Sequence, residues 1–492
     1  MIMKPRNYLA GLVTAGIFAA SNLAHASGIS LDQAQVIALQ TAAEKGFISE
    51  RGTAHKITQI KTIKEESGQP LIYLMQLNHQ GFVFVSAQSI SNPVLAYGPK
   101  NAEQFDIVNN PGIQQWLSSH RAQLKAFQAH RQTPSTFRQS HALKSAKSIS
   151  PVQPMTTTQW SQNGFYDDQT PDEKLVGCVG TAIAQFLRFH MYPWYAQGGE
   201  HRYSYTQYDQ EEIVVDFGSS YYYWPWMPDK VTEETDSRHQ WEVSQIMYHA
   251  GASVNALYGY DVTLAPMRFI PRALEKHFGY VTNGFEYKSD FTSEEWHQMA
   301  QNELADNRPF ILTGLDPELG IGHAWIVDGY DGDKYHMNWG WGGNMNGYYS
   351  IDIPAVRGYT FNQRMAMVRA APERDLQDVP FCEGESSFTN SADEISDGSH
   401  DWNYRLNMNC KILIEPRGAS SVTLNFSEFK TERNYDFVTI YNGESTNAPI
   451  LGKFSGNSVP NAITADSGKM LIHFTSDDIV TEDGWQASYS SQ

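Results

Sequence analysis

The sequence predicts an α+β protein whose last part is a separate all-β domain. Residues 148–372 form an aromatic-rich region in which runs with helical spacing alternate with strand-like runs, as expected of a mixed α+β core. Residues 381–492 instead contain short alternating strands, Ser421–Phe426 and Phe437–Tyr441 among them, which are typical of an antiparallel β-sandwich. The charged, proline-bearing segment 373–380 separates the two regions as a linker.

The first 26 residues have the features of a secretory leader. Lys4 and Arg6 precede an apolar run over residues 8–20, and the small residues Ala24 and Ala26 predict cleavage after Ala26. The apolar run is too short to span a bilayer, and no other stretch approaches about 18 apolar residues. We therefore expect a secreted, extracellular protein with no membrane anchor.

Residues 27–147 are predicted to form a separate α+β segment ahead of the main domain. The predicted elements are a helix over Ser30–Lys45, strands at Leu71–Leu77 and Gly81–Ser86, and a second helix that includes Ile113, Trp116 and Leu117 and continues toward Gln128. From His130 to Pro154 the composition changes to that of a linker. Lys144 and Lys147 lie among small residues there, in the kind of exposed segment that proteases cut.

Charge and cysteine content narrow the possible functions. The formal net charge of −18 argues against nucleic acid as a partner, because phosphate binding needs clustered Lys and Arg. Three cysteines are an odd number for an exported protein. Cys382 and Cys410 are close enough in sequence to form a disulfide, which leaves Cys178 as a free thiol.

Cys178 is the first candidate catalytic residue. The spacing of the apolar residues after it predicts an amphipathic helix over Val179–Tyr192 that ends before Pro193. Cys178 would then lie at the helix N-terminus, where unpaired N–H groups and the helix dipole favour a thiolate and lower the cysteine pKa. The alternative is an inert, buried structural cysteine.

His323 is the candidate proton shuttle for that thiolate. It lies in a β-rich run that continues through a polar turn at 331–333 into a second run, so residues 322–343 are predicted to form a hairpin. The expected register brings Asn338 within about two residues of the position opposite His323, where its amide oxygen can orient the imidazole. A purely structural hairpin is the alternative.

Four other side chains are candidates for the sequence-based site. Trp339 would cover the hydrogen bond between histidine and amide and exclude water. Asp328 and Asp331 are alternative orienting groups for the histidine. Acyl transfer through a thiolate also needs donors for the oxyanion, and Gln162 offers a side-chain amide shortly before Cys178, alongside the backbone N–H of Cys178.

The blocks around Cys178, His323 and Asn338 together resemble the streptopain family of papain-like cysteine peptidases, which are secreted as zymogens. The matching blocks are GCVGTAIAQ at 177–185, GHA at 322–324 and NWGWGG at 338–343, while FVFVS at 82–86 and VLAYG at 94–98 are similar to the family's propeptide. The resemblance implies Cys178 as nucleophile, His323 as general base and acid, Gln162 as oxyanion donor, and Asn338 with Trp339 as the pair that orients and shields the histidine.

Two segments depart from the streptopain pattern. GFYDD at 164–168 stands where the family commonly has Pro-Tyr-Asn, and the loop Tyr260–Pro266 lacks the small residues of the streptopain substrate wall. The family's preference for an apolar residue two positions before the cut is the expectation for this chain.

The C-terminal region resembles a CUB module over 381–492. The resemblance rests on LNFSEF at 424–429, YDFVTIYNG at 435–443, FTSD at 474–477 and GWQASY at 484–489, together with Cys382 and Cys410. Such modules bind proteins or glycans, often through a Ca²⁺ site, and the resemblance maps the calcium ligands onto Glu432, Asp436 and Asp477. Asn434 and Ser455 occupy the positions where a second disulfide is usual.

Together these observations predict a secreted cysteine endopeptidase made as a zymogen, with 27–147 as its inhibitory propeptide. Its partners would be protein or peptide substrates, and catalysis would need no cofactor. Two alternatives stay open: an amidase or acyltransferase that uses the same Cys and His, and a binding protein in which the CUB-like module acts while the papain-like core is inert.

Overall fold

The computed structural model describes residues 28–45, 56–64, 68–78, 81–87, 93–98, 150–205, 210–316, 320–352, 355–356, 359–376, 379–400 and 402–492. The predicted leader, the predicted helix that includes Trp116, and the lysines Lys144 and Lys147 lie outside these residues. Among the helices of the described ranges, none is both long enough and apolar enough to cross a membrane.

Five α-helices occur in the described residues. They are α1 (Leu31–Glu44), α2 (Cys178–His190), α3 (Ser237–Ser253), α4 (Ile270–Phe278) and α5 (Ser293–Ala305). The strands of the N-terminal and middle regions are β1 (Ile57–Lys64), β2 (Pro70–Leu77), β3 (Phe82–Ser86), β4 (Val94–Gly98), β5 (Glu200–Tyr205), β6 (Gln210–Asp216), β7 (Tyr280–Thr282), β8 (Glu286–Tyr287), β9 (Phe310–Leu315), β10 (Gly322–Asp331), β11 (Lys334–Asn338), β12 (Gly347–Tyr349), β13 (Ala355–Val356), β14 (Tyr359–Thr360), β15 (Gln363–Val368) and β16 (Ala370–Pro372).

The C-terminal region is all β. Its strands are β17 (Gly384–Phe388), β18 (Ala392–Ser396), β19 (Asn409–Ile414), β20 (Val422–Lys430), β21 (Phe437–Tyr441), β22 (Ile450–Phe454), β23 (Ile463–Ala465), β24 (Met470–Thr475) and β25 (Gly484–Ser491).

The predicted N-terminal helix and strands are confirmed. Ser30 caps α1 because its hydroxyl accepts from the Gln33 N–H while the Gln33 side chain accepts from the Ser30 N–H. The small buried face of α1 packs against β2 and β3, whose side chains are almost all buried. Burial on both sides explains why these strands are continuous apolar runs rather than alternating ones.

One ten-stranded sheet joins the N-terminal region to the middle domain. Its order is β1-β2-β3-β4-β12-β11-β10-β9-β15-β8, and its named pairs are all antiparallel. The junction is β4 against β12, where Tyr97 pairs with Tyr348 and Ala96 with Tyr349. The segment predicted as a propeptide therefore extends the sheet of the domain that it precedes.

Two hydrophobic cores flank the sheet strand β10 in the middle domain. One lies among α2, α3 and α4 and includes Ile183, Leu187 and Trp224. The other lies between the sheet and α5 and includes Trp296 and Trp325. Because α2 packs on β10, the N-terminus of α2 comes to lie against the strand that carries His323.

The C-terminal domain is a two-sheet sandwich. A five-stranded sheet, β17-β19-β24-β21-β22, faces a four-stranded sheet, β18-β25-β20-β23. Ile412, Leu424, Ile440 and Trp485 belong to the core between them. Strand β21 spans the predicted residues, while β20 continues to Lys430, past a bulge between Phe426 and Glu428.

The predicted disulfide is confirmed. Cys382 and Cys410 are bonded, with their Cα atoms 5.8 Å apart, and tie the start of the domain to β19. Cys178 is the free cysteine of the chain.

Candidate active site

Cys178 begins α2, and a glycine is required immediately before it. Gly177 has φ +83°, and a Cβ atom there would come within 2.8 Å of the Thr263 side chain. Thr263 donates its hydroxyl hydrogen to Leu175 O at 2.5 Å and accepts from Gly259 N–H at 3.1 Å. This loop therefore holds the turn that presents the sulfur. The predicted helix is confirmed, although it ends at His190 because Met191 adopts φ +47°.

The thiol is not activated in the way predicted from its helix position. Cys178 retains some surface exposure, but protein surrounds it on most sides, and burial raises the pKa of its thiol. The N–H groups of Ala324, Val179 and Cys178 itself act in the opposite direction and are the smaller effect. The expectation that the helix N-terminus lowers the pKa is therefore wrong for this structure, because desolvation outweighs the N–H groups.

His323 lies on β10, one residue before Ala324, whose backbone N–H approaches the Cys178 thiol. Its Nε2 is 3.0 Å from the backbone oxygen of Trp339. A carbonyl oxygen only accepts, so Nε2 carries the hydrogen and Nδ1 holds the lone pair. Nδ1 has no hydrogen-bond partner among the described residues. Burial lowers the pKa of His323 to about 3, against the opposite effect of the Trp339 carbonyl, so the resting imidazole is neutral.

Aromatic rings enclose the His323 imidazole. Trp341 and Phe361 stack closest to it, with centroids 4.8 and 5.0 Å away, and Trp325 and Trp339 lie at 5.8 and 6.1 Å. Trp339 is fully buried. Sequence reasoning missed Phe361, because no motif links it to the catalytic blocks.

The expected contact between Asn338 and His323 is wrong. In the register of β10 and β11, Asn338 pairs with Ile326, three residues from His323, even though the bulge between Val327 and Gly329 moves it one residue toward His323. Its side-chain Nδ2 donates to Thr158 O at 2.8 Å. The chain then turns through glycines at 340, 342 and 343, all with positive φ, and this turn brings the Trp339 carbonyl rather than the Asn338 amide to the imidazole.

Neither alternative orienting group contacts His323. Asp328 is buried and accepts from His336 Nδ1 at 2.5 Å. Asp331 accepts from Lys45 Nζ at 2.5 Å and from Tyr97 Oη at 2.8 Å, both in the N-terminal region.

Gln162 lies next to the chain that leads into the nucleophile. Its backbone oxygen accepts from Val176 N–H at 2.9 Å, two residues before Cys178. The segment GFYDD, which departs from the family pattern, begins two residues after Gln162. Its first three residues, Gly164–Tyr166, form a short 3-10 turn in which Tyr166 is buried. The Tyr166 hydroxyl accepts from Val231 N–H at 2.9 Å, so this segment is anchored to the domain.

The predicted calcium ligands meet at one edge of the C-terminal domain. One carboxylate oxygen from each of Glu432, Asp436 and Asp477 lies within 4.8 Å of the others. Asp436 accepts from Tyr404 Oη and from Asp477 N–H, whereas Glu432 Oε2 is buried and has no hydrogen-bond partner within the described part of the chain. Burial, followed by the charges of Asp477 and Asp436, raises the pKa of Glu432 to about 7.

Comparison with known proteins identifies the domains. The Peptidase C10 family profile matches residues 160–349, the CUB domain profile matches 382–489, and the profile of the Spi protease inhibitor matches 26–124. Streptopain from Streptococcus pyogenes is 26% identical over 368 residues, covering 70% of this chain and 89% of streptopain. A thiol protease/hemagglutinin, PrtT, from Porphyromonas gingivalis is 27% identical over 290 residues, 56% of this chain and 33% of that protein.

The solved structures contain a similar fold. A fragment of prointerpain A from Prevotella intermedia has a TM-score of 0.51 and 26% identity, and the match covers 63% of this chain and 98% of the fragment. The predicted fold class, a papain-like α+β peptidase followed by an all-β CUB sandwich, is therefore confirmed. The chain is a cysteine endopeptidase with a peptidase domain of the C10, or streptopain, family and a C-terminal CUB domain.

Proposed function

We propose that this chain is the precursor of a secreted endopeptidase in which Cys178 is the nucleophile and His323 is the general base and acid. The observation that supports these roles best is the hydrogen bond from His323 Nε2 to the Trp339 carbonyl. This bond leaves Nδ1 as the nitrogen that can take a proton from the thiol, whose sulfur lies at the N–H of Ala324, the next residue.

In the proposed mechanism the proton moves from Cys178 Sγ to His323 Nδ1, and the thiolate attacks the peptide carbonyl. The Cys178 N–H and the Gln162 side-chain amide hold the oxyanion. The imidazolium then protonates the leaving amine, and water hydrolyses the thioester with His323 as base. The faces of Trp341 and Phe361 stabilise the transient imidazolium, which offsets the burial that disfavours it at rest.

The loop that follows Gly259 is the proposed substrate wall. Tyr260, Val262 and Leu264 are 68%, 54% and 59% exposed, which is unusual for large apolar side chains in a well-packed domain. Thr263, in the same loop, contacts the turn before Cys178. We therefore expect substrates with apolar side chains near the cut, in agreement with the family's preference for an apolar residue two positions before it.

The precursor is proposed to be a zymogen with 27–147 as its inhibitory propeptide and maturation near Lys144 or Lys147. The similarity of 26–124 to a protease inhibitor and the pairing of β4 with β12 support this role. Secretion through the leader at 1–26 fits the disulfide in the CUB domain, since such bonds persist in oxidising compartments.

The CUB domain is proposed to bind a protein or glycan ligand and to hold a structural Ca²⁺ ion. The residues fit such an ion: three clustered carboxylates are hard oxygen ligands, and the buried Glu432 Oε2 has no hydrogen-bond partner among the residues that the structure describes. Glu432, Asp436 and Asp477 would hold it, and the ion would neutralise charges that now repel one another. It takes no part in peptide hydrolysis.

The test is to express the full chain as wild type and as Cys178→Ala. Wild type should lose its propeptide, cleave casein and react once with an epoxysuccinyl thiol inhibitor, while the variant should do none of these. A Cys178→Ala protein that matures alone and cleaves casein would contradict the assignment. Mass spectrometry of products from a peptide library separates an acyltransferase, which yields acyl-exchanged species, from a peptidase. A chain that fails to react with the inhibitor would indicate an inert core.

A further inference from the structure

A buried polar network lies behind the catalytic hairpin, and the proposed mechanism does not use it. Asp328 is fully buried in β10, and its Oδ1 accepts from His336 Nδ1 at 2.5 Å. Its Oδ2 accepts twice from Thr156, from the backbone N–H at 2.8 Å and from the hydroxyl at 2.5 Å. Thr156 belongs to the extended segment before the first core residues, far in sequence from the hairpin.

The segment that carries Thr156 is attached to β10 by its backbone. Val152 and Tyr330 exchange hydrogen bonds of 2.7 and 2.8 Å, and Met155 N–H donates to Asp328 O at 3.0 Å. The segment therefore behaves as a short extra strand on the edge of the hairpin. Its position gives the Thr156 hydroxyl a fixed direction.

The same hydroxyl reaches Asn338. Because Thr156 Oγ1 donates to Asp328, its lone pairs are free to accept from Asn338 Nδ2, which lies 3.2 Å away. Asn338 Nδ2 also donates to Thr158 O, and its Oδ1 accepts from Gly340 N–H at 3.3 Å. The Asn338 amide thus connects the 156–158 segment to the residue after Trp339.

The peptide of Trp339 lies between these anchors. Asn338 precedes it, Gly340 follows it, and its own N–H donates to Asn346 Oδ1 at 3.1 Å. Its carbonyl oxygen is the acceptor that holds His323 Nε2. A shift of this carbonyl would turn the imidazole relative to the thiol, and small misplacements of a catalytic group are costly.

We propose that Thr156 is a positioning residue for His323: through Asp328 and Asn338 its hydroxyl fixes the Trp339 carbonyl that orients the imidazole. The inference rests on the proposed roles of Cys178 and His323. It also requires that the mature enzyme keep the strand from Val152 onward, which agrees with a maturation cut near Lys144 or Lys147.

The test compares Thr156→Val, which keeps the shape but removes the hydroxyl, with Thr156→Ser, which restores it. Thr157→Val is the matched control, because Thr157 is the exposed neighbour. Full-length tagged precursors are matured in trans with untagged wild-type enzyme and repurified through the tag. Titration with the epoxysuccinyl inhibitor then gives the concentration of reactive sites. Per titrated site, Thr156→Val should lose about 10- to 100-fold in kcat with KM within about twofold of wild type.

Thr156→Ser should recover most of the lost kcat, and Thr157→Val should match wild type. The pH profile of Cys178 alkylation by iodoacetamide is a second readout, and it should move in Thr156→Val toward that of His323→Ala. If Thr156→Val does not fold, Asn338→Asp replaces it, since it removes the Nδ2 donor and keeps the oxygen for Gly340.

A purely structural role makes a different prediction, and that result would overturn the inference. Thr156→Val, or Asn338→Asp in its place, would then lower the melting temperature while kcat per titrated site and the alkylation profile stayed at the wild-type values. Failure of the proposed function has another signature: wild-type enzyme would neither hydrolyse peptides nor react with the inhibitor, and the inference would fall with it.

Discussion

Thr481 of the CUB domain donates its hydroxyl hydrogen to Glu275 Oε1 of the peptidase domain, at 3.0 Å. Thr282 donates to the same oxygen at 2.6 Å. Next to this contact, Lys276 forms a salt bridge with Asp478. Two successive residues of α4 therefore meet one loop of the CUB domain. That loop also carries Asp477, so the proposed cation site and the domain interface share one segment.

Glu275 should make stability depend on pH. Burial raises the pKa of this carboxyl from 4.5 to about 7. A raised pKa means that the folded state binds the proton more tightly than the unfolded state does. The stabilisation from this proton is therefore fully present below about pH 4.5 and is lost as the pH rises through about 7. The free energy of unfolding falls by at most about 3 kcal/mol as a result.

The measurement is the free energy of unfolding of the full chain, carrying Cys178→Ala to prevent processing, at several values between pH 4.5 and 8. Glu275→Gln should flatten the decline over this range. Glu234→Gln, at an exposed site, is the control and should leave the slope unchanged. An unchanged slope in Glu275→Gln would mean that the interface carboxyl does not titrate in this range.

Calcium binding to the CUB domain should strengthen as the pH rises. Protons compete with the cation for Glu432, whose pKa is raised to about 7. Titration calorimetry with CaCl₂ should therefore show weaker binding at pH 6 than at pH 8, with proton release at the lower pH. Asp436→Asn should abolish binding, and Glu428→Gln, at an exposed site, should bind as wild type does. A pH-independent affinity would exclude Glu432 as a ligand.

The sequence alone was enough to predict the elements that depend on interactions between residues close together in the chain. The apolar spacing after Cys178 and the proline at 193 predicted α2 to within two residues. Alternation and turn residues predicted strand β21, and cysteine spacing predicted the disulfide. Each of these depends on interactions within a short stretch of chain, which periodicity describes well.

The parts that failed depend on contacts between distant segments. Asn338 lies opposite Ile326, and its side-chain amide donates to Thr156 and Thr158, which are far from the hairpin in sequence. The pKa of Cys178 follows from the packing of α2 on β10, which no local motif reports. Helix position alone therefore predicted the wrong direction.

Asp331 should act as an anchor for the propeptide. It accepts hydrogen bonds from Lys45 and Tyr97, and Tyr97 also stacks on Tyr348 of β12 at 5.1 Å. Asp331→Asn removes the charge-assisted bond, so the propeptide should open more often and the precursor should be cut about tenfold faster in trans by mature enzyme. Electrophoresis of timed samples measures this rate.

Asp333→Asn is the matched control for that experiment. Asp333 lies two residues along the same turn, and its side chain is 60% exposed while paired with Lys334. Its precursor should be processed at the wild-type rate. Equal rates for wild type and Asp331→Asn would show that docking at this turn does not limit maturation.

The Cys178 thiol of the precursor should not react rapidly with alkylating agents at acidic pH. Because the pKa of Cys178 is raised and that of His323 is lowered to about 3, thiol and imidazole are both neutral near pH 7. Only the thiolate reacts with iodoacetamide, so the alkylation rate of the unprocessed chain should rise steadily with pH through the alkaline range. Intact mass reports this residue alone, since the other two cysteines are bonded. A fast plateau at acidic pH would instead show a thiolate–imidazolium pair already formed in the precursor, and Gln162→Ala, which leaves both groups in place, should not change the profile.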